Sequence, residues 1–78
     1  MKNSFKVLVF IEKFIKDNGF SPTVREIGKG TDLSSTSSVW GHLDRLKKEK
    51  LINFIRKSPR TITITETGKE LLEKLNSN

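Results

Sequence analysis

Residues Leu33–Leu46 read LSSTSSVWGHLDRL. The stretch opens on short hydroxyl side chains and becomes amphipathic at Val39. Ser35 is the expected N-cap, because its hydroxyl can accept from a backbone N–H in the first turn. With Val39 at zero on a wheel of 100° per residue, His42, Leu43, Leu46 and Lys50 fall within about 60° of it. Ser37, Gly41, Asp44 and Lys48 fall on the opposite side. Trp40 and Lys47 lie on one flank, Ser38 and Arg45 on the other. The helix thus has an inner stripe for a core and an outer edge that no core requires.

The preceding segment explains how this helix is held. Thr23-Val24-Arg25-Glu26 is a T-x-x-E capping box, in which hydroxyl and carboxylate satisfy each other's backbone N–H. A short helix follows from Val24 to about Gly30, with Val24 and Ile27 inward. Gly28 lowers helix propensity by about 1 kcal/mol relative to Ala, which is accounted for if another helix packs close to it. Thr31-Asp32-Leu33-Ser34 is a turn with Leu33 as an apolar plug. Helix, short turn and longer helix make a helix-turn-helix.

Further upstream, Ser4–Asn18 has the i, i+3, i+4, i+7 spacing of an amphipathic helix in Val7, Leu8, Ile11, Phe14 and Ile15, and Val9 and Phe10 are expected to widen the stripe. Asn18-Gly19 is its stop signal. Phe20-Ser21-Pro22 is extended, since a residue before Pro is pushed out of the α region.

Downstream the period changes from helix to strand. Leu51–Lys57 places Ile52 and Phe54 on one side. Thr61–Thr65 alternates strictly, with Ile62 and Ile64 inward. The two strands form a hairpin whose tip is Lys57-Ser58-Pro59-Arg60. Thr65 or Thr67 caps a last helix to about Leu75, with Leu71, Leu72 and Leu75 as a narrow stripe, and Asn76-Ser77-Asn78 is expected to fray. The expected fold class is α+β: a winged helix-turn-helix with a three-helix core, a two-stranded β-hairpin wing and an additional C-terminal helix. The whole of 1–78 reads as a single domain, with its core at about 4–65 and the C-terminal helix at about 66–76.

Composition narrows the function. The chain has 78 residues, no Cys and one His, which argues against disulfides and His or thiolate metal sites. No cofactor is expected. The apolar run near the N-terminus is broken by Glu12 and Lys13, so neither a signal peptide nor a membrane span is expected, and a cytoplasmic location is the default. No nucleophile or carboxylate accompanies His42, so an enzyme is not expected. Net charge is +6, and residues 45–60 carry seven basic residues against Glu49 alone, which is the entire excess. A basic surface this localised is the footprint of a polyanion binder.

From Phe20 to Ile64 the text resembles the N-terminal DNA-binding domain of the LexA repressor family. The resemblance rests on Ser21-Pro22-Thr23-Val24-Arg25-Glu26-Ile27-Gly28, Leu33-Ser34-Ser35-Thr36-Ser37-Ser38-Val39, Gly41-His42-Leu43, Arg45-Leu46, Leu51-Ile52 and Pro59-Arg60. It implies a transcriptional repressor whose second helix enters the major groove of double-stranded DNA while the hairpin reaches the adjacent backbone or minor groove. It departs from the family in three respects. A C-terminal peptidase domain, with its self-cleavage, is not expected. The family's dimerisation domain goes with it. Trp40 stands where polar residues are usual. The tail, Thr-x-x-Gly followed by Lys-Glu-Leu-Leu, is similar to the segment after the wing in MarR-like regulators, where terminal helices help form the dimer. The alternative is a winged-helix module that binds a transcription or replication factor.

The DNA-contact candidates follow. Ser35, Thr36, Ser37 and Ser38 offer hydroxyls to base edges or phosphates at a helix N-terminus. Gly41 permits close approach, its competing reading being packing against Gly28. Trp40 is either a partly buried core aromatic or a contact to a thymine methyl or sugar-phosphate wall. Arg45, Lys47, Lys48, Arg56, Lys57 and Arg60 are phosphate candidates, with Lys57 or Arg60 able to enter a minor groove. Arg25 reaches a phosphate or pairs with an acid. Thr23 is a backbone contact as well as a cap. His42 reads as a hydrogen-bonded structural residue. A homodimer is expected at least on DNA, with Leu71, Leu72 and Leu75 as its extra contact.

Overall fold

The computed structural model describes residues 2–76, in which the elements follow in the order α1 (Lys2–Asn18), α2 (Val24–Thr31), α3 (Thr36–Lys48), β1 (Ile52–Asn53), β2 (Thr63–Ile64) and α4 (Glu66–Asn76). The expected fraying of Ser77 and Asn78 lies outside the described residues. Helix α1 forms because Val7, Leu8 and Ile11 share one side, and all three are fully buried. Val9 does not widen that stripe. It points about 140° away from the mean Ile11–Ile15 direction and is 41% exposed. The helix stops at Gly19, whose φ of +80° favours a residue without a Cβ. Its N–H reaches the Ile15 carbonyl at 2.8 Å.

The capping box of α2 is complete. The Thr23 N–H donates to Glu26 Oε1 at 2.8 Å, and the Glu26 N–H donates to Thr23 Oγ1 at 3.2 Å. The helix runs one residue beyond the expected Gly30 and closes at Asp32, in the left-handed region. Gly28 is where α3 comes close: a Cβ there would lie 3.2 Å from the Leu33 carbonyl oxygen and 3.6 Å from Val39 Cγ2. Helix α3 starts at the expected Ser35 cap. It ends with the Leu51 N–H on the Leu46 carbonyl and the Lys50 N–H on the Lys47 carbonyl. Those paired bonds are a Schellman close, with Lys50 (φ 62°) where Gly is usual.

Val39, Leu43 and Leu46 from α3 meet Leu8 and Ile11 from α1 and Ile27 from α2, and Ile52 and Leu72 complete the core. His42 belongs to this framework: Ser4 Oγ and His42 Nδ1 share a 2.8 Å hydrogen bond, and Ser4 is buried.

The hairpin differs from expectation in length. Strands were expected over 51–57 and 61–65, yet only Ile52↔Ile64 and Asn53↔Thr63 pair, antiparallel. Side chains displace the rest of the ladder. The Phe54 carbonyl takes a hydrogen bond from Lys47 Nζ at 3.1 Å, and the Ile62 N–H donates to Ser21 Oγ at 3.2 Å. Nearer the tip the Thr61 hydroxyl accepts from the Ile55 N–H. Lys57 and Arg60 both have positive φ, which ends extended pairing on each leg. The inward faces are as expected: Ile52, Phe54 and Ile62 are buried and Ile64 is half-buried.

Thr65, rather than Thr67, caps α4, accepting from the Gly68 N–H at 3.0 Å. Leu72 is 1% exposed and belongs to the core, so it cannot contribute to an outer contact surface as the stripe suggested. Leu71 is half-buried and Leu75 is 45% exposed. The result is a winged helix-turn-helix carrying one further helix. Among the described residues no helix is long and apolar enough to cross a membrane.

Candidate nucleic-acid interface

The outer edge of α3 is polar, exposed and open. Thr36, Ser37, Ser38 and Gly41 are exposed, and a Cβ on Gly41 would find nothing within 4 Å. Packing of Gly41 against Gly28 is therefore excluded. The four hydroxyls are not equivalent. Ser35 Oγ accepts from the Ser38 N–H and donates to Ser38 Oγ, each at 3.2 Å. Thr36 and Ser37 use neither hydroxyl in the cap. Arg45 and Lys48 continue the same edge, exposed and without an ion pair among the described residues, and Arg25 on α2 and Lys57 at the wing tip are likewise exposed without one.

The other basic candidates are engaged inside the protein. Lys47 Nζ, besides its bond to the Phe54 carbonyl, lies 4.5 Å from the Phe54 ring centroid. Arg56 lies 4.4 Å over the Trp40 ring and meets Asp44 Oδ1 at 2.6 Å. Arg60 is the most heavily used. Its Nη1 donates to the Ser21 carbonyl at 2.9 Å and to Glu26 Oε1 at 3.0 Å, its Nη2 donates to Glu26 Oε2 at 3.2 Å, and its guanidinium lies 4.7 Å over the Phe20 ring. A basic run read from sequence as one set of free cations is thus two sets. Arg25, Arg45, Lys48 and Lys57 face solvent alone, while Lys47, Arg56 and Arg60 tie the wing to the helices.

Trp40 also finds its place. It is half-buried, with its ring centroid 5.6 Å from that of Phe54, and it packs the first leg of the wing against α3. A cleft of about 420 Å³ opens between α2, α3 and the wing, walled by Val24, Trp40, Leu43, Phe54, Pro59 and Ile62. Asp44 acquires a role only in the folded chain, as the partner of Arg56. Its signal was there in the wheel, which set it on the outer side, but its arginine partner lies twelve residues on and across the turn.

Glu26 links two tasks. Its carboxyl is held below the usual carboxylate range, first by the Thr23 N–H and then by Arg60. Its stabilising contribution is therefore complete above the unfolded carboxylate range and is lost as pH falls through the lowered folded value. Thermal melts of the parent and Glu26→Gln should differ most near neutrality and converge on acidification below that range. A gap that stays constant through the acid limb would contradict this role.

The chain matches the family model described as the LexA DNA binding domain over residues 3–61. It belongs to the LexA DNA-binding domain family. Among LexA-family relatives, the LexA repressor of Lactiplantibacillus plantarum is 48% identical over 66 residues, covering 85% of this chain and 31% of the relative. That of Enterococcus faecalis is 51% identical over 65 residues, covering 83% and 31%. That of Ligilactobacillus salivarius is 43% identical over 74 residues, covering 95% and 36%. The chain therefore spans about a third of the length of the LexA repressors it matches. The match to the family model ends before α4, whose Leu72 nonetheless completes the core.

Proposed function

We propose that this protein is a sequence-specific double-stranded DNA-binding repressor that acts by occluding an operator. The observation that carries the reading is the outer edge of α3. Two uncommitted hydroxyls, Thr36 and Ser37, stand beside the open Gly41, and the unpaired Arg45 and Lys48 follow on the same edge. Short side chains at the N-terminal turns let the backbone N–H groups and the positive end of the helix dipole approach phosphates. Hydroxyls donate or accept at base edges. The cations supply affinity that is indifferent to sequence. Lys57, at the tip of the wing, suits the neighbouring stretch of backbone. The names of the relatives support the repressor part of this reading, and polymerase exclusion is the simplest mechanism for a domain that holds an operator.

One winged helix covers about half a site, so a symmetric pair is proposed on DNA. Leu71 and Leu75, which lie on the same stripe of α4 as Leu72 but stay partly or largely exposed, remain as its candidate contact. Selection of bound duplexes from a random pool tests both parts. Enriched sequences should be inverted repeats with half-sites about one helical turn apart. Ser37→Ala should change which sequences win, while Lys48→Ala should weaken all of them alike. A pool that shows no enrichment, with no binding of mixed duplex at low salt, would sink the DNA reading in favour of a protein-docking one.

A further inference from the structure

We propose that Glu26 and Arg60 form a positioning pair that sets the wing for DNA, and that Arg60 is not itself a phosphate ligand. The inference rests on the DNA-binding reading above. Its basis is the way the two legs of the hairpin are held. The ladder contributes only two residue pairs, at the base. Beyond it, the first leg is tied to α3 through Lys47, Trp40 and Arg56, and the second leg is tied to the start of α2. There the Ile62 N–H donates to Ser21 Oγ, and Arg60 donates to the Ser21 carbonyl and to both oxygens of Glu26.

Arg60 is ill placed to do a second job. Its donors are turned to three oxygens of the protein, its guanidinium lies over Phe20, and the Glu26 carboxylate offsets its charge. Reaching a phosphate with the same donors would require it to abandon these partners. Its backbone φ of 58° also belongs to a residue held at a fixed bend rather than to an extended arm. Glu26, meanwhile, is fixed by the capping box, so the wing's second leg is referenced to the first turn of α2. That turn carries Thr23 and Arg25, so one carboxylate sets the spacing between two candidate contact regions. A hairpin pre-set in this way avoids the ordering cost that a mobile one meets on binding.

The two roles give opposite signs for one substitution. Glu26→Gln keeps the capping box, because Gln serves at that position as well as Glu. If Arg60 were a phosphate ligand, removing an acid beside the DNA would leave binding unchanged or strengthen it. If the pair positions the wing, binding weakens. Using the duplex selected with the parent protein, Glu26→Gln and Arg60→Gln should each weaken binding by about threefold or more, and the double variant should be no weaker than the worse single one. Arg60→Lys should behave as Arg60→Gln does, because an ammonium keeps the charge but not the two-pronged geometry. The proposal is overturned if Glu26→Gln binds as well as the parent, if Arg60→Lys restores binding, or if Arg60→Gln alone lowers the salt slope by about 0.9.

A second measurement needs no DNA. In the free protein, Glu26→Gln should speed amide hydrogen exchange at Ser58 and Ile62 and leave the core amides of α1 and α3 unchanged. Unchanged exchange at both wing amides would overturn the positioning role. Should the parent bind no duplex at all, the DNA reading fails by itself, and exchange still decides whether the pair holds the wing.

Discussion

Gly68→Ala should lower stability by about 1–3 kcal/mol, the usual cost of an extra methyl in a filled site. For a domain of this size each kcal/mol corresponds to about 4–8 °C in the melting temperature. The new Cβ would lie 2.2 Å from the Leu51 carbonyl oxygen and 2.9 Å from Ile64 Cγ2. The first of these neighbours cannot give way easily, because the same carbonyl accepts the Thr65 N–H at 3.0 Å. Relief requires α4 to lift, which draws Leu72 from the core. Helix propensity alone argues the opposite, since Ala is favoured over Gly by about 1 kcal/mol within a helix. Gly41→Ala is the control. It sits in α3 with open space around it, so there the propensity term should act unopposed and raise the melting temperature. The same added methyl should weaken duplex binding if that edge faces DNA. Thermal melts of the two variants separate packing from propensity, and a Gly68→Ala protein that melts at or above the parent would contradict the contact.

The second large effect concerns charge. Replacing Arg45, Lys48 and Lys57 together by Gln should flatten the dependence of binding on salt. Each lost phosphate contact lowers the slope of log K against log salt by about 0.9, so the three should remove about 2.7. Affinity for mixed and selected duplexes should fall together, because phosphate contacts carry no sequence information. Stability should stay within about 0.5 kcal/mol, as is usual for surface changes that disturb no contact. None of the three has an ion pair among the described residues. Lys6 and Lys13, exposed on α1, provide the comparison. Their replacement by Gln should leave the slope unchanged if the charge acts locally. Equal loss of slope from both sets would mean that net charge, and not an interface, governs binding.

The features that could be read from sequence were those fixed within two turns of helix. The Thr23–Glu26 capping box, the Ser35 cap, the Gly19 stop and the inner stripe of Val39, Leu43 and Leu46 each depend on residues at most seven apart, and each stands where expected. The open edge at Gly41 was legible for the same reason. What sequence could not reveal were pairings across the chain. Arg60 meets Glu26 from 34 residues away and Ser21 from 39 away, and nothing local distinguishes it from Lys57, which has no ion pair among the described residues. The strands looked longer than they are because alternation reports which side chains face inward, and that part was right. It does not report whether a backbone N–H is paired with a strand or with Ser21. Rotation of α4 about its axis was hidden in the same way: Leu71, Leu72 and Leu75 form one stripe on a wheel, and only packing against Leu51 and Ile64 decides that Leu72 is the one buried.

The brevity of the hairpin ladder has a consequence for solubility. Proteins that gather on a nucleic acid reach high local concentrations, where a long unpaired strand edge would template association between copies. Here each strand offers two residues, and beyond them the Ile62 N–H, the Phe54 carbonyl and the Ile55 N–H are already occupied by Ser21, Lys47 and Thr61. A wing held by side chains rather than by a sheet therefore presents little edge on which a neighbouring chain can nucleate.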